Sequence, residues 1–299
     1  MRPAQLTLAL LLGTAGQAAF AQETLSQPDA TEASAAAAGV PDEQDSGRLS
    51  VDVSLGFATS YYWRGIVQQV DQFLFQPGIE LGVKLFSDDE ITVGAVLGTW
   101  NSFGEPAAGA GDGYIGNWYE NDLYASIIAE SGRWAGDLTY TVYASPNDSF
   151  ANVDEVSLGL SFDDSGLVLD DVSLAPSMRI AFELDGAADG ENSGVYIEIG
   201  VAPSVSLGET GLGALGLTVP VTVGLSISNY YDDATGGDEV FGYLDVGADF
   251  SLDLPDPSGA GDLTASAGLH ALFLGDSTEA LNGDEDTELF LQAAISLSF

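Results

Sequence analysis

The amino-acid sequence predicts an all-β fold, a transmembrane antiparallel up-and-down β-barrel of about twelve strands. Three observations carry that expectation. From Leu49 onward apolar residues alternate with small or polar ones at period two. The alternating runs number twelve, and bacterial single-chain barrels have an even number of antiparallel strands. The links between runs alternate between short and long, as they do where tight turns lie on one side of a membrane and longer loops on the other.

The twelve runs are 49–58, 73–85, 91–100, 122–130, 134–144, 156–162, 174–184, 195–207, 217–229, 241–254, 263–274 and 288–299. In the first, Leu49, Val51, Val53, Leu55 and Phe57 share one face, and Ser50, Asp52, Ser54 and Gly56 the other. Short links fall at 87–89, 131–133, 163–173, 208–216 and 255–262; longer or more acidic ones fall at 64–72, 103–117, 145–154, 185–194, 230–238 and 275–287. With both termini in the periplasm, the short set lies inside and the long set outside. Aromatics cluster at the strand ends, Tyr61 to Trp63, Phe73, Phe75, Trp100, Trp118, Tyr119, Tyr143, Phe182, Tyr196, Tyr230, Tyr231, Phe241, Tyr243 and Phe273 at the outer ends and Phe86, Trp134, Phe162, Phe250 and Phe299 at or near the inner. We read them as two interfacial belts, where amphipathic rings settle in a bilayer.

Ahead of the barrel, residues 1–21 carry Arg2, an apolar core from Leu6 to Leu12 and a small-residue site ending at Ala21, the grammar of a cleaved secretory signal. That core is too short for a transmembrane helix, which needs about 20 residues. Residues 22–47 hold no Lys, Arg or aromatic and are expected to be a flexible acidic periplasmic tail. The barrel then occupies 48–299. With no cysteine, neither a disulfide framework nor a thiolate metal site can form. Six basic against 46 acidic residues, a formal charge of −40, exclude nucleic acid as a partner.

The final run ends on Phe299, which resembles the C-terminal signal by which outer-membrane barrels are recognised and closed, so Phe299 is the expected assembly signal for a barrel-assembly machinery. The stretch 59–69, Thr-Ser-Tyr-Tyr-Trp-Arg-Gly-Ile-Val-Gln-Gln, resembles the N-terminal hallmark of the Gcw_chp or TorF-type family of porin-like proteins. Tyr61, Trp63, Arg64, Gly65 and Gln68 lie on that pattern, while Ser60 stands where the family has Asp. The resemblance implies an outer-membrane barrel with a loosely defined transport role and transfers no catalytic residue. Physically, Gly65 permits a tight exit from the first strand. Arg64 is expected at the rim, holding a loop carboxylate or a lipid phosphate.

By parity the lumen receives Asp52, Glu80, Asp137, Glu183, Glu198, Asp245 and Asp249, against Lys84 and Arg179 as the basic residues. Lys84 stands four residues from Glu80, and Arg179 four from Glu183, a spacing that allows local pairing on one face. Such a wall favours cations. The only histidine, His270, shares the inward face and reads as a solvated lumen residue, so the chain is not expected to be an enzyme. Acidic clusters at Asp232-Asp233, Asp238-Glu239 and Asp284 to Asp286 suit loosely held Ca2+ or Mg2+ at external loops, without the spacing of an EF-hand; no other cofactor is expected. The expected function is a porin-like channel in the cell outer membrane of a Gram-negative bacterium, passing small solutes or cations amid outer-membrane lipid and lipopolysaccharide. The alternative is a structural or adhesive barrel with a filled lumen and acidic ion- or partner-binding loops.

Overall fold

Hydrogen bonding in an apolar medium leaves a β-chain one solution, a sheet closed on itself so that no edge remains. In a computed structural model that describes residues 48–105, 116–167, 173–188, 190, 192–232, 237–255 and 261–299, the chain adopts that solution. The expected leader and tail lie outside the described residues. The chain runs β1 (Leu49–Ala58), a small hairpin of β2 (Tyr61–Trp63) and β3 (Ile66–Gln69), then β4 (Leu74–Ser87), β5 (Thr92–Phe103), β6 (Trp118–Ser131), β7 (Trp134–Ala144), β8 (Val153–Phe162) and β9 (Ser177–Asp185). It continues as β10 (Val195–Val201), β11 (Ser204–Glu209), β12 (Ala214–Thr218), β13 (Val221–Ser228), β14 (Phe241–Leu254), β15 (Asp262–Leu274), the helix α1 (Asp276–Leu281) and β16 (Thr287–Ser298).

Every wall pairing is antiparallel, and β1 against β16 closes the ring with Asp52 opposite Ser298 and Ala58 opposite Gln292. Phe299 extends the closure, exchanging backbone bonds of 3.0 and 3.2 Å with Val51. Two wall strands are each split in two. Proline offers no N–H to a ladder, and Pro203 and Pro220 separate β10 from β11 and β12 from β13, where unbroken runs were expected. The prolines are bridged by their carbonyls, which accept from Val219 and Gly247 at 2.9 Å. Counting each split pair as one gives twelve wall strands among the described residues.

The wall is inside-out relative to a soluble sandwich. Leu55, Leu81, Leu97, Leu123, Ile127, Leu158, Ile199, Leu269, Leu289 and Leu291 face outward and exposed, whereas Glu80, Glu120, Asp122, Glu155, Arg179, Asp249 and His270 are buried on the inner face. Surface this apolar around a polar interior belongs in lipid, so the barrel spans a membrane. Inward glycines sit beside the largest inward side chains: a Cβ at Gly98 would overlap the Tyr124 ring, and one at Gly247 would overlap His270.

At the end that carries Leu49 and Phe299 the links are short, save 163–176. There Asp164 replaces the first turn of β9 by a local frame, accepting from Ser173 Oγ at 2.7 Å and from the backbone N–H groups of Leu174 and Ala175 at 2.8 and 2.9 Å. The strand accordingly begins at Ser177 rather than at the expected 174. Burial pushes the Asp164 carboxyl up, but the Ser173 hydroxyl and these amides outweigh it and hold the group below the ordinary carboxylate range. A depressed folded-state value contributes stability above the unfolded pKa that is lost as pH falls through the folded one.

Two outcomes are expected. Leu97→Arg costs about 2–4 kcal/mol in a refolding titration if the residue sits at the bilayer midplane, whereas Leu97→Phe is close to neutral; equal losses would remove the lipid-facing assignment. The stability gap between the wild type and Asp164→Ala is widest near neutral pH and narrows as pH drops below about 4; a gap that is flat with pH would detach it from the carboxylate's charge.

Candidate functional site

The stretch 59–69 does not form an external loop. It folds back into the barrel as the β2–β3 hairpin, whose two-residue turn is Arg64-Gly65. Both turn residues have positive φ, 49° and 81°, the signature of a type I′ hairpin turn. Glycine is suited to the second position twice over, since a Cβ there would also press on the Tyr243 side chain, 2.9 Å from its Cβ and 3.0 Å from the ring. Gly65 therefore makes the tip of a plug, not the exit of the first strand.

Arg64 is corrected in the same way. It holds a carboxylate, but one of the inner wall rather than of a loop or a lipid: it is 3% exposed and bonds Glu155 of β8 two-pronged, at 2.7 and 3.0 Å, and Tyr230 Oη at 2.9 Å. Its guanidinium carbon lies 4.2 Å from the Tyr196 ring centre and 4.6 Å from that of Trp63. A planar fork satisfied by a carboxylate in its plane and aromatic faces above and below is a task for Arg rather than Lys. The tip is held from other sides too. Tyr231 Oη donates to Arg64 O at 2.8 Å, and Asn282, just after α1, takes the Val67 N–H at 2.7 Å and donates to Gly65 O at 2.8 Å. On the return strand, Gln68 accepts from Tyr119 Oη at 2.7 Å, and Gln69 accepts from Ser102 Oγ at 2.6 Å.

Aromatics expected in the outer belt supply the packing. Tyr61, Tyr62, Trp63, Trp100, Tyr119, Tyr143, Tyr196, Tyr230, Tyr231 and Tyr243 are buried against the hairpin in two clusters, while Phe73, Phe182, Phe241 and Phe273 stay on the outer surface. The half of the lumen away from the termini is thus filled.

The expected lumen residues divide into four groups. Arg179 pairs with Asp137, at 3.0 Å on both prongs, and donates to Ser157 Oγ. The anticipated Arg179–Glu183 pair is replaced because Asp137 lies two strands away on the inner face, whereas Glu183 accepts the Ala188 and Gly194 N–H groups at 2.6 and 2.7 Å and ties down loop 186–194. Asp245 and Asp249 grip His270 from either side, 2.9 Å at Nδ1 and 3.2 Å at Nε2, with Gln292 at 2.8 Å and the Phe290 ring stacked at 5.1 Å. His270 is wholly buried, not solvated as the sequence suggested. Glu198 accepts from Tyr196 and Tyr243 at 2.7 and 2.9 Å, and Glu80 accepts from Tyr124. Asp52 and Lys84 are half-buried on the inner faces of β1 and β4.

Glu155, Glu120, Asp122, Tyr124 and Asn282 were not singled out from the sequence. Glu155 and Glu120 fall just before the expected strand starts at 156 and 122, although they continue the inward parity of Ser157 and Asp122. Of the external clusters, Asp232 and Asp238 pair in an isolated bridge and accept from Asn192 and Ser226, while Asp233 lies outside the described residues. No group of three or more His, Asp or Glu disposed to hold a metal occurs among the described residues.

No family model matches the chain, and no curated protein does. Among solved structures it is similar to an outer membrane channel from Pseudomonas putida F1 (12% identity, TM-score 0.47, 85% of this chain and 96% of that one) and to the NanC porin (13%, 0.42, 83% and 98%). It is also similar to the translocator domain of the autotransporter NalP from Neisseria meningitidis (12%, 0.42, 99% and 99%). The apolar outer wall, polar interior and even strand number place the chain in the outer membrane of a Gram-negative bacterium.

Removing one partner of a buried ion pair strands the other, at about 3–5 kcal/mol. Arg64→Leu and Glu155→Leu should each lower unfolding stability by that order, and the double substitution by less than either alone. Additive losses in the double-mutant cycle would mean that the guanidinium and carboxylate do not act as a unit.

Proposed function

We propose that the chain is an outer-membrane channel for small solutes or ions, cation-preferring, whose outer half is closed at rest by the β2–β3 hairpin. The observation that carries this reading is the charge of the inner face. Its guanidinium groups are each matched by a carboxylate, Arg64 by Glu155 and Arg179 by Asp137. Asp52, Glu80, Glu198, Asp245 and Asp249 then remain against Lys84 and His270, and carboxylates lining a low-dielectric wall concentrate cations and repel anions. The Tyr61 to Gln68 motif by which the chain resembles the Gcw_chp or TorF-type family is, in this reading, the plug itself. The reading includes no catalytic step, and its partners are outer-membrane lipid and lipopolysaccharide around the wall, the assembly machinery at Phe299 and the permeating ion.

One observation favours the second reading, a structural barrel with a filled lumen: Tyr61, Tyr196, Tyr230, Tyr231 and Leu74 are at or below 1% exposure. Planar-bilayer recording of the refolded protein separates the two. For the channel, the wild type conducts weakly, Arg64→Ala combined with Gln68→Ala conducts several-fold more, and the reversal potential across a tenfold potassium chloride gradient has the cation sign. That sign weakens in Asp52→Asn with Glu198→Gln. Silence in both the wild type and the plug-released variant favours the filled barrel, and a chloride sign removes the carboxylates from the mechanism.

A further inference from the structure

A wall immersed in lipid is most stable with apolar side chains turned outward, and β13 to β16 and β1 follow that rule, presenting Val, Leu, Ile, Ala and Phe at their outward positions. β5 and β6 depart from it. Asn101 and Asn121 are paired across these two strands with both side chains outward, and Thr99 stands at the next outward position of β5. The rings of Phe103 and Trp118, stacked at 5.6 Å, occupy the outward positions nearer the rim. The amides therefore lie on the bilayer side of the aromatic belt, where an amide has no water to bond.

The three groups bond to one another and leave capacity over. Asn121 Nδ2 donates to Thr99 Oγ1 and to Asn101 Oδ1, each at 2.9 Å, and lies 3.4 Å from Trp100 O. Asn101 Nδ2 reaches the Pro77 carbonyl of β4 at 3.4 Å, a long bond. Among the described residues Asn121 Oδ1 accepts no hydrogen bond, and the Thr99 hydroxyl accepts one and donates none. On β7 the Tyr140 hydroxyl is engaged by Asp154 at 3.0 Å and supplies neither. Leu97 and Leu123 stand exposed beside the amides, so the patch is open from outside the barrel.

We infer that the outer face of β5 and β6 is an interface between two copies of this chain within the membrane, with Asn101, Asn121 and Thr99 at its centre. An amide carries both donors and acceptors, so one patch satisfies its own duplicate across a two-fold axis. The patch has no charge and so selects neither a phosphate nor a cation. In lipid, association gains little from apolar burial, since acyl chains are as apolar as leucine, and polar side chains that bond across the contact supply the attraction. The apolar outward faces of β13 to β16 and β1 offer no second patch of this kind, so association closes at two copies rather than continuing into a chain. The interface is independent of whether the lumen conducts.

The chain contains no cysteine, so one introduced thiol reports its own position. Leu123→Cys, at a position 53% exposed, stands beside the amides without removing them; Leu269→Cys, at a position 50% exposed, marks the far wall on β15. Each full chain is refolded into phospholipid vesicles free of lipopolysaccharide, at high dilution in lipid, and treated with a short bismaleimide. Leu123→Cys is expected to give a covalent dimer and Leu269→Cys a yield lower by about tenfold or more. Adding Asn101→Leu and Asn121→Leu to Leu123→Cys lowers the dimer yield by about tenfold, the loss of two hydrogen bonds across the contact, with heat-modifiable mobility retained. If that variant does not assemble, the comparison of the two walls decides alone. Equal yields at the two walls overturn the interface, as does a yield that the amide substitutions leave unchanged. A Leu123→Cys dimer that forms only after lipopolysaccharide is added also overturns it and assigns the patch to lipid.

Discussion

Backbone hydrogen bonding in lipid is the constraint on which the rest of this structure depends. Each strand must find two neighbours because no water is available to an unpaired N–H or C=O, so β1 and β16 must meet in register however far apart they lie in the chain. The same requirement is met around Pro203 and Pro220, which interrupt adjacent strands at one level and whose carbonyls accept the Val219 and Gly247 N–H groups across the gaps. It also explains the frame around Asp164, which feeds the backbone of residues 174 and 175 into hydrogen bonds where β9, the seventh wall strand, has lost its regular start.

Closure at twelve strands fixes a circumference, and the circumference sets the problem of the interior. Eight-stranded barrels are filled by their own inward side chains, and barrels of sixteen or more strands enclose a water channel. Here the terminal half is narrowed by glycine-beside-large pairs such as Gly98 with Tyr124, while the far half is filled by an extra element. The hairpin is apolar and aromatic on its flanks and charged at its tip, and the tip is neutralised by Glu155. A buried guanidinium without that carboxylate would be far more costly than the turn strain of a non-glycine residue at positive φ.

The wall was legible in the sequence because period two is a local signal: each of the expected runs coincides with a wall strand to within a few residues. The plug was not legible in the same way. Aromatics near strand ends were assigned to interfacial belts by their position along the strand; that holds for Phe73, Phe182, Phe241 and Phe273, but the parity of others told otherwise. Trp100 shares a face with Val96 and Gly98, Tyr143 with Thr139 and Thr141, and Tyr243 with Asp245, all inward. Position along a strand says how deep a ring lies in the bilayer; only parity says whether it meets lipid or lumen. The partners of Arg64 were beyond reach for a different reason. Glu155 and Tyr230 are 91 and 166 residues away, and no local pattern encodes contacts of that separation. Helix α1 was likewise hidden in a loop where acidic composition outweighed any helical signal, and it presents Asn282 to the hairpin's backbone.

The strength of the anchor bears on how such a barrel could conduct. At about 3–5 kcal/mol for the Arg64–Glu155 pair alone, a plug free to leave would be out for less than about 1% of the time. The hydrogen bonds from Asn282, Tyr119, Ser102 and Tyr231 reduce that fraction further. Passive flow through the outer half therefore depends either on narrow paths between the hairpin and the wall, or on an event that weakens the anchor. Charge is the natural lever, since Glu155 and Glu183 both lie near the far rim beside the guanidinium and no second basic residue pairs with either among the described residues. A cation arriving from outside competes with Arg64 for Glu155, and an anion competes with Glu155 for Arg64. Each ligand compensates one charge of the pair, so the other must be hydrated as the hairpin moves, and the cost of any release is set by how far water reaches it.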